Sequence, residues 1–188
     1  VVHSDGKTKE LSVCDWVVEK YPEMKEVGEP LCFSDGKIIH RPGIVHRIDR
    51  ETSGALVLVK NQKSFEFLKN QFKNREIKKT YRAFVYGEMM EMEGIIDRPI
   101  GRSKSDFRLW SAQRGARGKI REAITEYRVL NKYKEFSYIE VEPKTGRTHQ
   151  IRAHFKAINH PIVCDKLYAP KRECGLGFER VALHSFFI

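Results

Sequence analysis

The segment that most constrains this chain is residues 43–54, which reads Gly-Ile-Val-His-Arg-Ile-Asp-Arg-Glu-Thr-Ser-Gly and is followed at once by the apolar run 55–59. A short aliphatic run of this kind predicts a buried strand. Asp49 is thereby placed at the approach to a strand among cationic neighbours, which favour the ionised carboxylate. An ionised carboxylate suits a nucleophile or a base. A turn in which Asp49 only hydrogen-bonds the backbone is the alternative that this segment leaves open.

Two further segments bear on the choice between a catalytic Asp49 and one that only forms a turn. Residues 143–154 read Pro-Lys-Thr-Gly-Arg-Thr-His-Gln-Ile-Arg-Ala-His, and residues 79–83 read Lys-Thr-Tyr-Arg-Ala. Together with residues 46–54 they resemble, in family order, the HRLDxxTSG, KxYxA and GRTHQIRxH signatures of the RluA-type RNA pseudouridine synthases. Residues 159–168 and 181–185 are similar to the family's GHPIxGDxxYG and LHA segments, so that the resemblance covers most of the chain.

The resemblance implies an α+β fold with a mixed, largely antiparallel sheet, flanked by helices around a central active-site cleft. It implies isomerisation of uridine to pseudouridine in structured RNA, either ribosomal or transfer RNA, with no cofactor and no metal. The catalytic residues that it implies are Asp49 as the carboxylate, Tyr81 as the support for a flipped-out base, and Arg147 as the partner of the aspartate. The substrate-binding residues that it implies are His46, Arg47, Arg50, Lys79, His149, Gln150 and Arg152.

The chain departs from the family pattern in a few places. Ile48 stands where leucine is usual, and Arg50 stands where lysine is common. The family's first strand, with its Asn-Lys-Pro-x-Gly segment, and the strands after the LHA segment are not seen, which predicts a fold truncated at both ends. We expect a single catalytic domain over residues 1–188, without an S4-type RNA-binding domain.

The charge balance indicates a polyanionic partner. Lysine and arginine number 35 against 25 aspartate and glutamate residues, which gives a formal net charge of +10. Nucleic acid and a membrane surface both fit such a charge. No apolar run approaches the roughly 20 residues of a membrane span, and the first residues show no signal-peptide pattern. We therefore expect a soluble, cytoplasmic monomer that binds RNA and no membrane.

The cysteines and histidines give no sign of a metal site. No Cys-x-x-Cys pair occurs, so the sequence predicts reduced thiols instead of a disulfide or a zinc site at Cys14, Cys32, Cys164 and Cys174. His149 and His154 lie five residues apart on a predicted helix and therefore on different faces, which argues against shared metal ligation.

Periodicity predicts the remaining helices and strands. Apolar residues at helical spacing predict helices over residues 10–21, with Leu11 in the buried stripe, over residues 62–75, and after Thr148, which can cap the last of them. Residues 24–42 carry several glycines and prolines and predict a loop. Alternation predicts a strand over residues 78–87 and a hairpin made of residues 123–130 and 136–142.

Residues 88–121 form the least regular part of the chain in this interpretation. Cations alternate there with glycines and with two aromatic residues, Phe107 and Trp110; they include Arg114, Arg117 and Lys119. Basic and aromatic residues on one flexible segment indicate contact with looped RNA, because phosphates attract cations and splayed bases stack on rings. A solvated hairpin with a charged tip is the alternative.

Two other functions remain open at this level. A catalytically silent RNA-binding module would share the basic surface without needing Asp49, Tyr81 and Arg147. A nucleoside glycosidase would also use Asp49, but such enzymes usually carry a second carboxylate as the general acid, and none of Glu51, Asp97 and Asp165 is a convincing partner.

Overall fold

The computed structural model describes residues 2, 10–33, 36–113 and 116–188. The chain divides into two compact units. The first comprises the residues up to Arg50 together with Ala55–Ile77, and the second comprises Glu51–Gly54 together with Lys78–Ile188. The expectation of one catalytic domain over the whole chain stays a prediction.

The described residues contain three α-helices and eleven strands. The helices are α1 (Val13–Lys20), α2 (Gln62–Asn74) and α3 (Gln150–Ala157). The strands are β1 (Leu31–Cys32), β2 (Ile38–Ile39), β3 (Ser53–Gly54), β4 (Thr80–Tyr86), β5 (Glu93–Asp97), β6 (Ile100–Arg102), β7 (Trp110–Ser111), β8 (Arg117–Arg121), β9 (Ile124–Lys132), β10 (Phe136–Pro143) and β11 (Leu183–Phe187). None of the described helices is both long and apolar enough to cross a membrane.

The first unit contains α1, α2 and the antiparallel pair β1–β2. Helix α1 begins with a capping box, in which Ser12 accepts from the Asp15 N–H and the Asp15 carboxylate accepts from the Ser12 N–H. The prediction that Leu11 belongs to the buried stripe is wrong, because Leu11 precedes this cap and is 86% exposed. Helix α2 confirms its prediction: Asn61 caps its start, and Arg75 ends it in the left-handed conformation.

The predicted strand over residues 55–59 is wrong. Within this run only Leu58 makes an isolated bridge, with Ile44. The Val57 N–H donates to the imidazole of His46, and the Val59 N–H donates to the carbonyl of Gly43. These N–H groups would pair with a neighbouring strand if the run were a strand, but they donate to a side chain and a loop carbonyl instead. The run therefore holds residues 43–50 in place.

The second unit is built on a six-stranded sheet in the order β3-β11-β4-β10-β9-β5, in which only the β3–β11 pair is parallel. This confirms the mixed, largely antiparallel sheet. Helix α3 contributes Ile151 and Phe155 to the main core, together with buried sheet residues such as Ile139 and Val141. Gly54 has a φ of +107°, and a β-carbon there would overlap the carbonyl oxygen of Ser185, so glycine is required where β3 meets β11.

Residues 88–121 are more regular than predicted. They contain β5 and a small sheet in the order β7-β6-β8. Ile100 and Ala112 of this segment are buried in a second cluster with Ala153 and Ala157 of α3. Buried apolar residues therefore anchor a segment that also carries many cations.

The prediction that all four cysteines are reduced is wrong, because Cys164 and Cys174 form a disulfide. Tyr86 brings the two cysteines together: its hydroxyl accepts from the Cys164 N–H at 3.1 Å and donates to the carbonyl of Glu173 at 2.6 Å. Cys32 is an exposed free thiol.

Replacing Cys174 by serine should lower the free energy of unfolding by roughly 2–3 kcal/mol, because the disulfide restricts a short loop in the unfolded chain. Urea unfolding with and without dithiothreitol measures this difference. Cys32→Ser, at an exposed free thiol, is the control and should leave the stability unchanged. Four titratable thiols in the untreated, denatured protein would show that the disulfide does not form.

Candidate active site

Residues 43–50 of the first unit carry Asp49 in a loop with fixed anchor points. Gly43 donates its N–H to the carbonyl of Val27 at 2.8 Å and accepts from the Val59 N–H at 3.0 Å. Its φ is +67°, and a β-carbon would lie 2.7 Å from the Val59 carbonyl oxygen, so a larger residue does not fit. Six residues further on, Asp49 is partly buried and follows the buried Ile48.

His46 fastens the same loop through its imidazole. Nε2 accepts from the Val57 N–H at 2.9 Å, and the ring stacks on Phe72 of α2 with centroids 4.8 Å apart. An accepting Nε2 carries no proton, so this hydrogen bond is made by the neutral imidazole. The contacts give His46 a positioning role in the loop that carries Asp49. Its contact with RNA stays a prediction.

Arg47 and Arg50 lie on the exposed side of this loop. A nitrogen of the Arg50 guanidinium lies 2.7 Å from the Glu10 carboxylate, and both side chains are more than half exposed. An exposed pair of this kind contributes about 0.2–1 kcal/mol. A phosphate can therefore replace Glu10 at little cost, and RNA contact by both arginines stays a prediction.

In the second unit, Tyr81 and Lys79 lie at the start of β4. Tyr81 is 9% exposed and pairs in register with Val141 of β10 and Ser185 of β11. Burial lowers the pKa of the Lys79 ammonium. The Lys79 Nζ lies 3.7 Å from the position that a β-carbon on Gly146 would occupy. A partly desolvated cation therefore lies beside the turn that carries Arg147.

Arg147 is held at two points. Its N–H donates to the Gln150 Oε1 at 3.0 Å, and its Nε donates to the carbonyl of Glu122 at 2.9 Å. Gln150 is 4% exposed. Its Oε1 also accepts from the Thr145 hydroxyl at 2.6 Å. These contacts place Gln150 inside the protein, where it positions Arg147. Its contact with RNA stays a prediction.

His149 begins α3 in place of the predicted cap, Thr148. It is the N-cap residue, has a φ of 55° and makes no side-chain capping bond. Its Nδ1 lies 3.1 Å from the Tyr168 hydroxyl, which also accepts from the Trp110 N–H at 3.0 Å. His149 is partly buried against Tyr168, and its contact with RNA stays a prediction.

Arg152 lies inside the protein, and its contact with RNA stays a prediction. It is 6% exposed, and its guanidinium pairs with both oxygens of the Asp165 carboxylate, at 2.7 and 2.8 Å. Asp165 also accepts from the backbone N–H groups of Leu167 and Tyr168. The pair therefore fixes the turn that presents Tyr168 to His149. Removing one partner of a buried pair typically costs about 3–5 kcal/mol.

Sequence reasoning missed the residues that support these side chains. They are buried polar residues, namely Thr125, Thr145, His154, Asp165 and Tyr168. Two signals were present: Thr125 lies on the buried side of an alternating strand, and His154 has a place in the signature around Arg147. A buried threonine or histidine is not recognisable as a supporting residue from its type alone, so its role becomes clear only from its hydrogen-bond partners.

His154 should make the stability of the fold pH-dependent. Burial lowers the pKa of its imidazole below the ordinary value of 6.5. The unfolded chain then takes up a proton at a higher pH than the folded chain, so the free energy of unfolding falls as the pH drops below about 6.5. The loss for this one group cannot exceed about 1.4 kcal/mol per pH unit.

Urea unfolding of the wild type and His154→Gln between pH 7.5 and 5 measures this effect. The variant should be less stable at pH 7.5 and should show a shallower decline with falling pH. The control is His184→Gln, at an exposed imidazole, and should keep the wild-type slope. Equal slopes for the wild type and His154→Gln would contradict the assignment.

Comparison with known proteins places the site in context. The model of a family described as RNA pseudouridylate synthase matches residues 32–157, a range that includes Asp49, Tyr81 and Arg147. The chain is 44% identical over 154 residues to the ribosomal large subunit pseudouridine synthase D of Borreliella burgdorferi, covering 82% of this chain and 45% of the relative. It is 40% identical over 147 residues to a Bacillus subtilis protein named as the uncharacterized RNA pseudouridine synthase YlyB, covering 78% of this chain and 46% of the relative.

The fold is similar to that of a solved human protein, RNA Pseudouridylate Synthase Domain Containing 1. The TM-score is 0.72 at 25% sequence identity, over 93% of this chain and 67% of that chain. The chain spans about half the length of the curated relatives it matches.

Proposed function

The chain belongs to the RNA pseudouridylate synthase family, and we propose that it isomerises uridine in RNA to pseudouridine. The observation that carries this proposal is the family match over residues 32–157, which contains all three signature segments. The relative from Borreliella burgdorferi is named for the ribosomal large subunit. That name favours ribosomal RNA over transfer RNA as the first substrate to test.

The reaction rearranges one nucleotide without an external group. The bond between uracil N1 and C1′ breaks, the base rotates, and a bond from C5 to C1′ forms, while C5 gives up a proton and N1 gains one. We assign Asp49 the role of the carboxylate that starts this sequence. It either attacks as a nucleophile or removes a proton from the sugar, and both routes need an ionised carboxylate.

We assign Tyr81 to the support of the extruded base and Arg147 to pairing with the catalytic carboxylate. A stacked uridine is out of reach of an enzyme group, so the target is flipped out, and the ring of Tyr81 supports the extruded uracil. Arg147 is assigned the role of the charged partner that orients the catalytic carboxylate. The anchoring of Arg147 at its N–H and at its Nε supports this assignment, because a fixed cation loses little freedom when it pairs.

The sheet β7-β6-β8 is proposed as an RNA-binding surface. Arg102 and Arg117 are direct cross-strand partners, although like charges placed opposite each other are unfavourable in an isolated sheet. Every residue of β8 is exposed. The Arg102 guanidinium stacks over Trp110 at 4.3 Å, and Phe107 is 76% exposed. Phosphates would relieve the repulsion, and unpaired bases would stack on the exposed ring. Arg114, of the same basic run, lies outside the described residues.

Asp49→Asn should abolish pseudouridine formation while leaving the fold and the affinity for RNA nearly intact, because the amide keeps the shape of the carboxylate but not its charge. The assay is incubation with a large-subunit ribosomal RNA fragment carrying labelled uridine, followed by nucleoside analysis. Glu19→Gln, at an exposed position on α1, is the matched control and should keep full activity.

The products also separate the alternative functions. Residual activity of Asp49→Asn within about tenfold of the wild type would remove Asp49 from the chemistry. Free uracil in place of pseudouridine would identify a glycosidase. RNA binding without conversion by the wild type, across ribosomal and transfer RNA substrates, would identify a silent binding module.

Replacing Arg117 and Lys119 together by alanine should weaken RNA binding and flatten its salt dependence, because each lost phosphate contact removes about one unit from the log–log slope. Binding of the same ribosomal RNA fragment between 50 and 200 mM salt, a range of about fourfold, measures the slope. Lys63→Ala with Lys73→Ala removes the same charge from exposed positions of α2 and is the control. An equal slope change in both double variants would show only a general charge effect.

A further inference from the structure

We propose that Thr125 and His154 are positioning residues for the reaction, acting through Gln150 on Arg147. This inference rests on the proposed isomerisation of uridine. It adds two side chains of the interior to the residues on which the reaction depends. Both are fully buried, so neither contacts RNA directly in this fold.

The Gln150 amide has only one orientation that satisfies its neighbours. Its oxygen accepts from the Thr145 hydroxyl and from the Arg147 N–H. Its nitrogen donates to the Ile124 carbonyl at 2.9 Å and to the Thr125 Oγ1 at 3.0 Å. A flipped amide would set its NH₂ group against the Arg147 N–H and its oxygen against the Ile124 carbonyl, so two hydrogen bonds would become repulsive.

The same reasoning fixes the protons on Thr125 and His154. The His154 Nε2 lies 2.9 Å from the carbonyl oxygen of Arg98, which can only accept, so Nε2 carries the proton. Nδ1 is then an acceptor, and it lies 2.9 Å from the Thr125 Oγ1, which donates its hydroxyl proton. The hydroxyl oxygen remains available to accept from Gln150. The hydrogen bonds therefore run in one direction, from Gln150 through Thr125 and His154 to the Arg98 carbonyl.

This chain of hydrogen bonds determines the position of the Arg147 backbone. Thr125 fixes the nitrogen of the amide, the amide oxygen fixes the Arg147 N–H, and the Nε bond to the Glu122 carbonyl fixes the side chain beyond it. Because Thr125, Gln150 and His154 are buried, water does not replace a missing partner easily. A lost hydroxyl at Thr125 would leave one hydrogen of the Gln150 NH₂ group without its acceptor, which loosens the amide and with it the Arg147 backbone.

The test compares Thr125→Val, which deletes the hydroxyl, with Thr125→Ser, which keeps it. Thr125→Val should lower kcat at least about tenfold with little change in KM, because a misplaced group affects the chemical step more than RNA binding. Thr125→Ser should recover most of the activity. Val129→Ala, at a buried position four residues along β9, is the control for destabilisation alone and should keep kcat. A kcat loss in Thr125→Val no larger than in Val129→Ala, or no recovery with serine, would overturn the inference.

Two NMR measurements need no activity and separate this inference from the proposed function. In the wild type at pH 7.5, the ring nitrogens of His154 should show the tautomer with the proton on Nε2. In Thr125→Val, the Arg147 amide should exchange with solvent at least about tenfold faster, while the Ile139 amide of β10 is unchanged. The other tautomer, or an unchanged Arg147 amide, would refute the positioning role even if pseudouridine is formed. Both results as expected without any product would refute the proposed function alone.

Discussion

A buried side-chain amide is costly unless each of its hydrogen-bonding groups is paired, and Gln150 meets this requirement with four partners. Two of them lie in the turn that leads to Arg147, and two lie on β9. The amide therefore joins a loop to a sheet strand at one point, and the geometry of the turn follows from that junction. Gly146 belongs to this turn, and the Lys79 ammonium lies beside it.

The charged residues of the same signature divide into two groups with different physical roles. Arg152 is buried with Asp165 and stabilises the turn that holds Tyr168. Arg147 is only partly buried, and its Nε donates to the backbone carbonyl of Glu122. Two arginines five residues apart thus differ because one lies on the inward side of α3 and the other precedes the helix. The local sequence of an arginine does not reveal which role it has, since the pairing partner comes from a distant segment.

The cations of the chain also differ in whether the fold pairs them with a carboxylate. On the main sheet, Arg82 and Arg128 share Glu140, and Lys78 pairs with Glu142, so each of these cations has a carboxylate partner within the fold. On the small sheet, two arginines face each other across β6 and β8. Arg102 and Arg117 are thus part of the formal net charge of +10 that the fold leaves in a repulsive arrangement, which a polyanion would relieve.

The sequence by itself determined the family through its local motifs, and the resemblance to that family implied the largely antiparallel sheet. Helix α2 and the hairpin of β9 and β10 followed from the period of their apolar residues. Tertiary structure alone decided that residues 55–59 hold a loop and form no strand, since their donors go to Gly43 and His46. It also decided that Cys164 meets Cys174, and that Gln150 and Arg152 lie inside the protein. Each of these outcomes depends on partners that folding brings together from separate segments, which periodicity and composition do not encode.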